Sequence, residues 1–136
     1  VGLGKAIEIA YSELDQTKHY IQGPKDYAIE KLQAAVPGVQ FYGDYKGHSL
    51  YTILNVSLPK NEKTDMVLFN LDMSGICIST GSACTSGSET GSHVLMAMGL
   101  LRPDRVAARL SFSKHNTKEE IDYLAEKVKE LCLVTA

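Results

Sequence analysis

Apolar positions along the chain follow two periods, and the periods divide it into helical and extended stretches. From Lys5 to Ile21, apolar residues at Ile7, Ala10, Leu14 and Ile21 with few breakers predict a helix. Gly23-Pro24 interrupts the pattern, and Pro24 suits the first turn of a second helix over 25–36. That second helix carries Ala28, Ile29, Leu32, Ala35 and Val36 on one stripe and stops at Pro37-Gly38. Val39–Tyr42 then reads as a short strand before the turn "GDYKGH", and Tyr51–Leu58 as a β-branched strand ending at Pro59. Thr64 or Asp65 is expected to cap a helix through "MVLFNLDM", which Ser74-Gly75 terminates. Ile76–Ser79 is a further strand, and "SHVLMAMGL" a short helix with Ser92 as cap and Gly99 as stop. Over Val106–Ser113 the alternation is clean: Val106, Ala108, Leu110 and Phe112 face one way, and Ala107, Arg109, Ser111 and Ser113 the other. The last helix opens with a capping box, Thr117 with Glu120, and carries Ile121, Leu124, Val128 and Leu131 on its apolar stripe.

The expected sum is four short strands and about five helices in one α+β domain, residues 1–136: a small, mostly antiparallel four-stranded sheet with helices packed mainly on one face. A doubly wound sheet fits less well, because four strands are few for helices on both faces. At 136 residues and 44% hydrophobic, the chain is long enough for one core. A formal net charge of −2 gives no electrostatic reason to expect nucleic acid or an anionic membrane as partner. No apolar run approaches a bilayer span. The chain begins "VGLGK", with Val1 rather than Met, as a fragment would.

Between the third strand and the helix after it lies "STGSACTSGSETGS", Ser79 to Ser92, nearly all Ser, Gly and Thr around one thiol, Cys84. The other cysteines, Cys77 between two isoleucines and Cys132 in "LCLV", read as small apolar core residues. Three cysteines make neither a C-x-x-C pair nor an even disulfide framework. Composition alone leaves three readings of residues 79–92 open. They form a plain surface loop, a weak anion cradle before a helix N-terminus, or an arm that moves a nucleophilic thiol. His19, His48, His93 and His115 are scattered without partners at ligand spacing, so no metal site is expected. Asn55, in an apolar strand, is expected to bond a buried backbone group.

Taken together, "ISTGSACTSGS", "SHVLMAMGL", "ILNVSL" and "RLSFSKHNTKEEID" resemble, in that order, segments of the cysteine desulfurases. These are pyridoxal-phosphate enzymes of aminotransferase class V, and the match is to the group with the S-x-G-S-A-C-T-S pattern. The resemblance implies that Cys84 is the nucleophile that takes sulfur from L-cysteine as a persulfide, leaving L-alanine. It also implies that Arg109 holds the substrate carboxylate, a task suited to a planar guanidinium fork. No segment matches the motifs that bind the cofactor. The chain therefore resembles the C-terminal small domain, with residues 1–21 as the bridging helix from a cofactor domain and residues 79–92 as a mobile cysteine loop. Such a fragment is expected neither to bind pyridoxal phosphate nor to turn over alone. The whole enzyme is implied to be a cytoplasmic homodimer passing sulfur to an acceptor or Fe–S scaffold protein, for iron–sulfur cluster or thio-cofactor assembly. Two positions depart from the pattern: Tyr51-Thr52 stands for the commoner Pro-Asn, and Ser113 for the usual Gly. Other readings are another class V enzyme of this type, a non-catalytic docking module, and a thiol redox sensor built on Cys84.

Overall fold

The computed structural model describes residues 1–80 and 92–133. Among these residues the elements run α1 (Gly2–Ser12), α2 (Leu14–Ala35), β1 (Gln40–Tyr42), β2 (Ile53–Pro59), α3 (Glu62–Asp65), α4 (Val67–Met73), α5 (His93–Ala97), β3 (Arg105–Ser111) and α6 (Lys118–Cys132). The sheet is antiparallel in the order β1-β2-β3, with Phe41 opposite Val56, and Leu54, Val56 and Leu58 opposite Leu110, Ala108 and Val106. The α+β class holds, but among the described residues the sheet has three strands rather than the four expected. Ile76–Ser79 makes a single antiparallel bridge, Ser79 to Arg109, instead of a paired strand.

One face of the sheet is the core. Leu54, Val56, Leu58, Ala108, Leu110 and Phe112 meet Ile21, Ala28, Ile29 and Leu32 of α2 and Ile121, Leu124, Ala125 and Val128 of α6. The period-2 alternation of β3 and the stripe of α6 are therefore as expected. Leu32, Leu54 and Leu58 are each 1% exposed, and truncating such a leucine to alanine costs ~2–5 kcal/mol. Tyr27 of α2 donates to the Asp122 carboxylate of α6 at 3.0 Å, and Lys31 pairs with the same carboxylate at 2.8 Å, tying the two helices at their rim.

The helical boundaries differ from the sequence expectation. The chain breaks at Glu13, not at Gly23-Pro24, and α2 runs through Pro24. Proline removes one backbone donor, but Ile21, Ala28, Ile29 and Leu32 are buried on both sides of it, so tertiary packing carries the helix past the defect. Of the apolar positions expected on the first helix, Ile7, Ala10 and Leu14 are exposed while Ile21, which falls in α2, is buried; α1 itself has no buried residue. Neither Thr64 nor Asp65 caps the helix through "MVLFNLDM": α4 starts from Met66 without a side-chain cap, and Asn61 caps the separate short helix α3 before it. The Asn61 side chain accepts from the Lys63 and Thr64 N–H groups at 2.8 Å. Thr64 is the other half of the box, accepting from Asn61 N–H at 2.7 Å and donating to the Pro59 carbonyl at 2.9 Å. The caps at Ser92 and Thr117 are as expected, and Gly99 takes the left-handed φ of 66° that ends α5.

Candidate active site on the outer face of the sheet

The face turned away from α2 and α6 carries the candidate chemistry. Antiparallel partners share a face, so Tyr42, Asn55 and Arg109 form one lateral row across β1, β2 and β3. Ser79 extends that row through the isolated bridge. Arg109 is exposed, and among the described residues its guanidinium makes no hydrogen bond or ion pair. A charged fork held on a rigid strand with its donors open suits a planar carboxylate.

Arg105, four positions earlier on the same face, is in the opposite state. Its Nε donates to Ser57 Oγ at 2.6 Å, and its Nη2 donates to the Ser57 carbonyl at 2.6 Å and the Gly38 carbonyl at 2.7 Å. Ser57 is fully buried beneath it. Arg105 thus fastens β3 across β2 to the turn before β1. The sequence reading did not single it out. The available signal was its period-2 relation to Arg109 together with the serine in the apolar run "ILNVSL"; the register sets Arg105 opposite Pro59 and Ser57 opposite Ala107, so the arginine reaches Ser57 diagonally.

Beside the row, a groove of about 250 Å³ is lined by Tyr42, Ser49, Leu50, Ile53 and Asn55 among others. Its wall is set by Lys25, which is 1% exposed and donates to Ser49 Oγ at 2.7 Å and the Leu50 carbonyl at 2.8 Å. Burial lowers the Lys25 pKa, against the opposing pull of Asp26 and Asp44. Both of its contacts are structural, and it lies outside the residues lining the groove. A pyridoxal phosphate would need a free amine in a cavity, and Lys25 is the one buried lysine among the described residues. Among the described residues no lysine therefore offers the free buried amine that this cofactor needs.

Cys84, in residues 81–91, lies outside the described residues. Cys77 was expected in the core and is instead exposed. The isoleucines that suggested burial are the cause: Ile76 and Ile78 pack on the core, so the alternate position between them points outward. Cys132 packs against the core, and burial pushes its thiol up to about 11. His19, His48, His93 and His115 are exposed, and no cluster of metal-ligating side chains occurs among the described residues. Asn55 is half-buried, and its amide does not make the expected bond to buried backbone among the described residues. Ser113, standing where a glycine was expected, needs no left-handed backbone. Its N–H donates to Asn116 Oδ1 at 2.8 Å, which closes the turn.

A sequence model of the aminotransferase class V family matches residues 1–124. The chain belongs to that family. It is 38% identical over 130 residues to a cysteine desulfurase IscS of Clostridium botulinum, covering 93% of this chain and 32% of the relative. It is 36% identical over 134 residues to a cysteine desulfurase IscS of Methanosarcina thermophila, covering 96% of this chain and 32% of that one. A solved NifS-like protein superposes with a TM-score of 0.74 at 30% identity, over 93% of this chain and 31% of its own. The NifS-like protein of Rickettsia africae has the same fold, with a TM-score of 0.76 at 23% identity over 96% of this chain and 33% of its own. The chain thus spans about a third of the length of the relatives it matches. No helix among the described residues is long and apolar enough to cross a membrane.

Proposed function

We propose that this chain is the C-terminal small domain of a pyridoxal-phosphate-dependent cysteine desulfurase. The observation that carries the reading is the guanidinium of Arg109 on the outer face of β3, without a partner among the described residues, in a chain whose relatives over nine-tenths of its length are named cysteine desulfurases. The cofactor would be held outside this chain and would supply the electron sink that weakens the substrate's C–S bond.

This chain contributes the binding of the substrate carboxylate by Arg109 and the acceptance of sulfur by Cys84. The Cys84 thiolate attacks the sulfur of L-cysteine, and an S–S bond forms as the C–S bond breaks. The bonding pair stays on the substrate carbon, which takes a proton to give L-alanine, and the enzyme keeps the sulfur as a persulfide. No outside oxidant is needed, because the sulfur moves while the carbon is reduced. Delivery to an acceptor or Fe–S scaffold, a homodimeric state and a cytoplasmic setting follow from the family resemblance alone and complete the proposal.

In the full-length protein, Cys84→Ser is expected to keep the cofactor's visible absorbance and abolish alanine formation from L-cysteine. Undiminished turnover would refute the nucleophile assignment. The chain by itself is expected to show no cofactor absorbance after incubation with pyridoxal phosphate, and a stable yellow complex would contradict that.

A further inference from the structure

Asparagine is depleted from β-strands, yet Asn55 sits in the middle of the apolar strand β2. Leu54 and Val56 on either side of it are buried in the core, so Asn55 lies on the outer face. It is half-buried there, and its amide makes no hydrogen bond among the described residues. No buried side-chain nitrogen or oxygen among those residues lacks a partner, so the unbonded amide is accessible rather than sealed. It also borders the groove of about 250 Å³, which leaves room beside it.

The backbone bonds of β3 fix how near this amide comes to Arg109. Arg109 N–H donates to the Ser79 carbonyl at 2.7 Å, and Ser79 N–H donates to the Arg109 carbonyl at 3.2 Å. Both backbone groups of Arg109 therefore point away from β2, which makes Asn55–Arg109 a non-hydrogen-bonded pair of the antiparallel ladder. The Pro59–Arg105 pair has the same parity, and its proline has no N–H to give. Such pairs are the narrow ones, with Cα atoms about 4.5 Å apart and side chains at their closest. An amide and a guanidinium, neither bonded to the other nor to any described residue, thus stand side by side on one face.

We propose that Asn55 is a second donor in the carboxylate seat: its Nδ2 donates to the same substrate carboxylate that the Arg109 guanidinium pairs with. The inference rests on the desulfurase reading, in which Arg109 takes that carboxylate. An ionised carboxylate offers about four lone-pair sites, and a guanidinium fork occupies two of them. An adjacent amide fills a third without adding charge. A donor in this place on β2 also explains why a polar side chain interrupts the apolar strand with no partner of its own.

The product L-alanine keeps the carboxylate and ethylamine lacks it, so their affinities read the seat without any sulfur chemistry. In the full-length protein, equilibrium dialysis is expected to show Asn55→Ala binding L-alanine about tenfold more weakly than wild type, the loss of one hydrogen bond to a charged group. Ethylamine is expected to bind within about twofold of wild type, because it never reaches for the amide. An unchanged affinity for L-alanine, or an equal loss for both ligands, overturns the proposal. Should Asn55→Ala not fold, Asn55→Leu, which keeps the size and removes the donor, decides by the same criterion. A wild-type protein that does not prefer L-alanine to ethylamine also overturns it. A wild-type protein that forms no alanine from L-cysteine, yet shows that preference and has it cut about tenfold by Asn55→Ala, would mean that the desulfurase reading has failed and the seat has not.

Discussion

Arg105 and Arg109 sit on one strand and one face, yet the structure uses them in opposite ways. Arg105 spends its donors on Ser57 and Gly38, and it covers a serine with no exposed surface. Arg109 has a side chain free of partners among the described residues, and only its backbone is engaged, by Ser79. Two arginines of the same face, one fastened and one without a side-chain partner among the described residues, differ in what lies within reach of each. Ser57 offers Arg105 a buried hydroxyl and a carbonyl, whereas opposite Arg109 stands the half-buried Asn55.

The comparison is sharpest when the two arginines are removed in turn. Arg109→Ala in the full-length enzyme is expected to raise the KM for L-cysteine about 10- to 150-fold, the loss of a charged hydrogen bond, with the urea midpoint unchanged. An unchanged KM would break the assignment. Arg105→Ala is expected to do the reverse. It leaves a buried hydroxyl and carbonyl without their donor, at ~1–3 kcal/mol of stability, while KM stays within about twofold. A normal urea midpoint for this variant would show that the clamp contributes nothing. Ser57→Ala removes one acceptor of that clamp and should cost less, ~1 kcal/mol, measured in the same denaturation.

The cysteines offer a milder form of the same inside–outside contrast. With its thiol near 11, Cys132 is about a thousandth thiolate at pH 8, so maleimide should label exposed Cys77 first. Labelling of Cys132 should quicken as the pH rises toward 11. Equal rates at pH 8 would contradict the burial of Cys132.

The sequence shows most where one physical cause acts alone. The alternation Val106, Ala108, Leu110, Phe112 fixed the inner face of β3, because a half-buried strand has a period of two and little else. The box of Thr117 and Glu120 was legible because its hydrogen bonds are local. Pro24 misled because a local defect competed with packing along α2, and packing won. Cys77 misled because neighbours in sequence were read as neighbours in space, whereas a strand turns adjacent residues to opposite faces. The fourth strand was expected from the composition of Ile76–Ser79. Edge pairing depends on a partner's register, which composition does not carry, and a single bridge formed. Of the candidate site, Arg109 was identified by motif resemblance, but its open state and its tie to Ser79 are properties of tertiary structure.

The central claim is that the Arg109 guanidinium reads a carboxylate. The most direct measurement compares the full-length enzyme's affinity for L-cysteine with that for cysteamine, which lacks the carboxylate, before and after Arg109→Ala. The wild-type protein should prefer L-cysteine at least tenfold, and the variant should lose that preference. A variant that still distinguishes the two molecules as well as the wild type does would contradict the account.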